Sequence, residues 1–215
     1  MAILFTGVNG FAQKTDSARS VSKFIPTGVQ VGYDLMSLAR TRYVSTFSGY
    51  ELSIDADVYR YYPTVEIGNW ARDYSSENGS TYENSGSFWR AGIDVNFMKK
   101  DPEKNMFFLG ARYGRSAYSE KARIITTDKL WGDLDQTYEN TSVVANWLEL
   151  TTGMRIRVWK IFWLGYTARF KFALNKDEGA TLLPTDVPGY GATERPTTWG
   201  FSYYALVKFP VRRVR

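Results

Sequence analysis

The side chains available for chemistry in this chain are defined first by what is missing. Histidine and cysteine are both absent, which removes the commonest general base, the commonest zinc ligand and every thiolate site. Most hydrolase triads and zinc enzymes are excluded on that ground. What remains is carboxylate, lysine, arginine and hydroxyl chemistry. One cluster has ligand-like spacing. Asp128, Asp133, Asp135 and Glu139 lie around Trp131, a hard-oxygen set of the kind that holds Ca²⁺. The spacing is not that of an EF-hand loop and the central glycine is missing, so the cluster reads as a solvated acidic loop. No cofactor and no metal centre are expected, and no catalytic residue stands out. A Ser-Lys or two-carboxylate catalyst stays open, because activating a nucleophile does not strictly require histidine.

A second charged set is periodic. Glu51, Asp55, Asp57, Glu66, Asp94 and Glu149 face Arg90, Arg112, Arg155, Arg157, Arg169 and Lys171 in equal number. Each falls on the polar side of a segment that alternates with period 2. In Tyr50 to Val58 every even position is apolar or aromatic and every odd one polar, which puts the two classes on opposite faces of a strand. The same alternation places strands at 28–37, 49–60, 63–71, 86–98, 105–119, 146–158, 161–174 and 197–209. Most reach the ~9–11 residues that a tilted strand needs to cross a bilayer. No intervening segment shows a convincing amphipathic helix, and no run approaches the ~20 apolar residues of a spanning one.

The connections alternate between long and short along the whole chain. An up-and-down antiparallel barrel gives this pattern when short periplasmic turns lie at one end and long extracellular loops at the other. The fold class is therefore all-β, an eight-stranded transmembrane barrel. Alternation alone leaves a soluble lipocalin-like barrel open, with its apolar face inside around an apolar ligand. Glycine decides the orientation. Gly32, Gly68, Gly92, Gly110, Gly114, Gly153, Gly165 and Gly200 all share the polar face, where a narrow lumen needs small residues beside long charged ones. A balanced, arginine-rich set suits a lumen in which each buried charge must find a partner. Trp70, Trp89, Trp147, Trp159, Trp163 and Trp199 cluster near the expected strand ends, the places where interfacial aromatics sit.

The first dozen residues, uncharged and apolar at the start, with Gly10-Phe11-Ala12 before a candidate cleavage point, read as the remnant of a secretory signal peptide. The expected organisation is a signal remnant at 1–12, a flexible periplasmic segment at 13–26, the barrel at 27–211 and a basic tail at 212–215. The true start codon is expected to lie upstream. The net charge of +5 and pI of about 9.3 do not describe a uniformly basic surface. The long loops sum to about −4 and the periplasmic segments to about +7, while the named lumen charges cancel. A basic periplasmic end suits anionic lipid or an acidic partner. Nucleic-acid binding would need the basic residues gathered on one exposed face, and it is not expected.

Several stretches resemble a family of exported bacterial outer-membrane β-barrel proteins that carries a domain of unknown function. They are Gly49 to Gly68, with Val65-Glu66-Ile67-Gly68; Leu109-Gly110-Ala111-Arg112-Tyr113-Gly114-Arg115-Ser116; and Trp147-Leu148-Glu149 with Gly153, continuing into Leu164-Gly165-Tyr166 and Arg169. The resemblance implies an eight-stranded integral barrel of the outer membrane, preceded by a full signal peptide, with no established activity. The functional expectation is a non-enzymatic barrel with a salt-bridge-plugged lumen, a structural or partner-binding subunit of an outer-membrane assembly. Its expected partners are outer-membrane lipid and other outer-membrane or periplasmic proteins. The alternatives are the soluble ligand-binding barrel and a histidine-independent, lipid-modifying membrane enzyme.

Overall fold

The computed structural model describes residues 25–98, 100–101, 105–128, 132–175 and 185–211. The signal remnant, most of the segment expected to be flexible, Trp131 and the basic tail lie outside these residues. Barrel strands are β1 (Gly28–Asp34), β2 (Phe47–Asp57), β3 (Tyr61–Ser75), β4 (Thr81–Asn96), β5 (Met106–Asp128), β6 (Gly132–Trp159), β7 (Phe162–Asn175) and β10 (Thr197–Pro210). Helix α1 (Leu35–Tyr43) follows β1, and two short strands, β8 (Asp186–Val187) and β9 (Gly191–Ala192), lie between β7 and β10. Each barrel strand pairs antiparallel with its sequence neighbour, and β1 closes on β10. Closure leaves no free edge within the hydrocarbon, the condition for a sheet to span a membrane.

Alternation carries straight into burial. On β3, Tyr62, Thr64, Glu66, Gly68 and Trp70 point inward while Val65 and Ile67 are about half exposed on the outside. The outer face is apolar all round: Ile54, Ile93, Leu109, Leu150, Ile156 and Phe201 are each 45–57% exposed. The soluble lipocalin-like alternative is thereby overturned, since its apolar residues would face the lumen.

The structure corrects the expected elements in five places, one of them the connection between the strands expected at 63–71 and 86–98, where β3 and β4 stay paired out to Ser75–Thr81. The first strand stops at Asp34, not residue 37, because Asp34 caps a helix that the sequence did not suggest. Its carboxylate accepts from Met36 N and Ser37 N, each at 3.1 Å, and from the Ser37 hydroxyl at 2.7 Å. The chain between β2 and β3 reverses at Tyr59-Arg60, two residues early, with Tyr59 at φ 66°. A long loop expected over 120–145 is instead a hairpin, since β5 and β6 remain paired from Tyr118–Val143 out to Asp128–Gly132. The last long connection returns to the barrel, where Val187-Pro188-Gly189-Tyr190 makes a turn closed by Tyr190 N–H to Val187 O at 3.0 Å. Pro188 and a Gly189 at φ 79° are the residues a type II turn requires at its centre.

Candidate functional site

Among the described residues the fold concentrates its buried charge in the lumen, which is layered along the barrel axis. At the extracellular mouth Phe47, Trp70, Phe88, Tyr118, Val143 and Trp147 form an aromatic collar. Val187 and Tyr190 from the β8–β9 hairpin fill its centre, 2% and 3% exposed. Trp147 meets Tyr190 edge-on at 5.7 Å between centroids. Glycine makes the fit: a Cβ at Gly189 would sit 2.4 Å from Phe88, and one at Gly114 would sit 2.2 Å from the Trp147 indole. Polar contacts latch the hairpin down. Arg72 Nε lies 2.7 Å from Asp186 Oδ2, Asn84 donates to Asp186 O, and Lys171 Nζ donates to Gly189 O and Tyr190 O at 2.8 and 3.0 Å. Burial pushes the Asp186 carboxyl above its ordinary range despite Arg72, Lys171 and Arg40 nearby, and it also raises the Tyr190 phenol.

Beneath the collar is a layer of charge. Glu66 is its hub: Arg90 Nε at 2.8 Å, Arg169 Nη2 at 2.9 and 3.1 Å, Arg112 and the Tyr204 hydroxyl at 3.1 Å converge on one carboxylate. Glu51 meets Arg90, Arg169 at 3.4 Å and Tyr204. Glu149 accepts the Trp147 indole N–H at 2.7 Å and stands 3.4 and 3.6 Å from Arg169 and Arg90. Deeper still, Asp94 binds Arg112 at 2.8 Å, and Arg155 reaches across the lumen from β6 to Asp55 on β2 and Gln30 on β1 at 2.6 and 2.7 Å. Each of these charges is almost wholly buried, which the opposite charges packed around it make tolerable, although Asp55 Oδ1 and Arg112 Nε find no hydrogen-bond partner among the described residues. The floor is apolar again, with Tyr62, Met106 and Phe108 on one side and Trp163 and Leu206 on the other.

Of the twelve charged positions singled out in the sequence, nine belong to this network: Glu51, Asp55, Glu66, Arg90, Asp94, Arg112, Glu149, Arg155 and Arg169. Three lie apart from it. Lys171 is buried but holds backbone carbonyls. Asp57 is half-buried at the periplasmic rim, 2.5 Å from Lys208. Arg157 is a correction: it keeps the inward register, paired with Trp163, but it is exposed because it lies at the periplasmic end of β6, where residues 156–160 are all open to the outside.

The tryptophans need a larger correction. Trp89, Trp159 and Trp199 are 42%, 66% and 64% exposed on the outside, as interfacial residues should be. Trp70, Trp147 and Trp163 face the lumen and are at most 8% exposed. Parity is the reason: they alternate in step with Glu66, Glu149 and Arg169, not with the lipid-facing residues. Nearness to a strand end set their height but not their face. Among the acidic-loop residues, Asp135 sits on the projecting hairpin and pairs with Arg123 at 2.6–2.9 Å, which lowers its carboxyl. Among the described residues no group of acidic side chains has the geometry of a metal site.

Sequence reasoning missed Tyr204, Gln30, Thr64 and Thr151, the neutral partners that complete the network. It also missed the plug hairpin. Its signal was present in Val187-Pro188-Gly189-Tyr190, an apolar turn inside an otherwise polar loop.

A closed antiparallel barrel with an apolar belt outside and paired charges within is an integral outer-membrane β-barrel. The chain belongs to the family described as domain of unknown function (DUF6048), which it matches over residues 1–213. Among solved structures it is similar to Ail, the attachment invasion locus protein of Yersinia pestis, solved with the heparin analogue sucrose octasulfate. There the TM-score is 0.40 and the identity 9%, covering 85% of this chain and 97% of that one. It is also similar to neisserial surface protein A, with a TM-score of 0.39 and 13% identity over 87% of this chain and 98% of that one. No curated protein matches the chain significantly.

Proposed function

We propose that this barrel is a sealed, non-enzymatic scaffold of the outer membrane, a structural or partner-binding subunit of a larger assembly. The observation that carries the reading is the filled lumen: aromatic collar and hairpin above, paired charge in the middle, an apolar floor below. Solutes gain no water-filled path through such a stack, and eight strands enclose only enough space for side chains. The lumen carboxylates, which a histidine-free catalyst inside the barrel would need, are held by arginines. What remains for contact is the rim, where the β5–β6 hairpin projects past its neighbours. Reconstitution in planar bilayers is expected to give no steady conductance, and a stable open channel would overturn the sealed-lumen reading. Isolated from native membranes in mild detergent, the barrel is expected within a larger particle of fixed stoichiometry. Recovery as a monomer would overturn the subunit role.

A further inference from the structure

A cavity of about 200 Å³ lies at the extracellular mouth, between helix α1, the β8–β9 hairpin and the start of β10. Its lining is rich in cations, and several are incompletely used. Lys171 is 4% exposed, and its ammonium spends two of three protons on the carbonyls of Gly189 and Tyr190. No carboxylate of the described residues lies within ion-pair distance of it. Arg40, half-buried on α1, makes no side-chain ion pair or hydrogen bond among the described residues. The Trp70 indole N–H is buried without an acceptor among them. Arg72 lines the cavity while holding Asp186. The carboxylates that also line it are committed: Asp34 caps α1, and Glu51 is held by Arg90, Arg169 and Tyr204.

Buried donors left without acceptors cost free energy unless a ligand supplies the acceptor. We propose that this cavity binds a phosphate or sulfate group through Lys171, Arg40 and Arg72, with the Trp70 N–H as a neutral donor. Asp186 is the internal competitor. It lies among the same three cations at the root of the hairpin, so the site in its resting form already holds one carboxylate of its own chain. An oxyanion with three or four acceptor oxygens engages the donors that this carboxylate leaves over. The hairpin is then pinned more firmly in the mouth. The proposal does not rest on the assembly role above.

The test titrates the folded barrel in nonionic detergent with sodium phosphate against sodium chloride at constant ionic strength. Tryptophan fluorescence is the readout, because Trp70 and Trp199 both line the cavity. A saturable response to phosphate, absent with chloride, is expected. Arg40→Gln, on a helix outside the barrel wall, should raise the half-saturating concentration by roughly tenfold, the loss of one charge-assisted hydrogen bond. Lys171→Gln should do the same or more, and Asp186→Asn should lower it. Absence of any phosphate-specific response, or binding unchanged in Arg40→Gln, would overturn the site. Repeating the titration in phosphatidylcholine vesicles with and without phosphatidic acid identifies the source. Competition assigns the site to a lipid headgroup, and unchanged affinity for free phosphate assigns it to a soluble anion.

Discussion

Replacing Glu66 by Gln keeps the shape of the side chain and removes one charge from the centre of the lumen. Glu66 is 1% exposed and is shared by Arg90 at 2.8 Å, Arg169 at 2.9–3.1 Å and Arg112. Removing one member of a buried ion pair costs about 3–5 kcal/mol, because the partner charge is left without compensation. Here several partners lose it together, and Tyr204 loses an anionic acceptor at 3.1 Å. For a chain of this size that cost corresponds to a fall of roughly 6–20 °C in the unfolding midpoint. The assay is the temperature at which the compact, heat-modifiable gel band gives way to the unfolded one. Glu149→Gln serves as the internal control. Its arginine contacts are longer, 3.4 and 3.6 Å, and its best partner is the neutral Trp147 indole, so its loss should be clearly smaller. A second control restores neutrality: with Arg90→Met added to Glu66→Gln, Glu51 and Glu149 still retain Arg169. The double variant should therefore melt above Glu66→Gln alone. A Glu66→Gln midpoint within about 2 °C of wild type, well below the shift expected for a stranded buried charge, would refute the network's role in stability. So would a double variant that simply adds the two losses.

Three further outcomes follow from the same layering. Single-tryptophan variants reconstituted with brominated phospholipid should show quenching for Trp89, Trp159 and Trp199 but not for Trp70, Trp147 or Trp163; quenching of Trp147 would mean that the faces are inverted. Gly114→Ala places a Cβ against the Trp147 ring, and overpacking of this kind costs about 1–3 kcal/mol. The gel midpoint should fall and the Trp147 emission should change; a neutral effect would show that the collar yields. Asp186→Asn should leave the hairpin as protected as before, or more so, in hydrogen exchange at Val187–Tyr190, although it removes the 2.7 Å contact to Arg72. The sign follows from burial. The folded-state pKa of Asp186 is raised, so its charged form is penalised above that pKa. The penalty is relieved as the pH falls through it toward the ordinary carboxyl value near 3.8. Loss of protection on either perturbation would show that the ion pair outweighs desolvation.

The parts of this molecule legible in its sequence are those where water and lipid compete for the same strand. Between residues 49 and 71 one face meets hydrocarbon and the other a charged lumen, so each residue type declares its side and period 2 is plain. Beyond the membrane that contrast disappears. The outer half of the β5–β6 hairpin has water on both faces, with Arg123 and Asp135 half-exposed and Leu134 exposed beside them. A strand of that composition carries no alternation to read. Helix α1 was hidden for a related reason: nine residues with only Ser37 buried give almost no apolar stripe. Its one clear signal is the Asp34 cap three residues ahead of Ser37.

The tryptophans show where a positional rule gives way to a face rule. Trp147 and Trp89 lie at comparable heights, yet Trp147 is fully buried beside Glu149 and Gly114, while Trp89 packs on Tyr113 outside at 5.7 Å. An aromatic near a strand end thus has two homes in a small barrel, the lipid interface and the lumen mouth, and only its register against the charged positions distinguishes them. In this chain the inward pair at the mouth, Trp70 and Trp147, is what meets Val187 and Tyr190, while Trp163 packs in the floor. A polar mouth would have left that turn in water. Trp70, Trp147 and the Val-Pro-Gly-Tyr turn therefore account for each other: the lumen closes at the top because both are present.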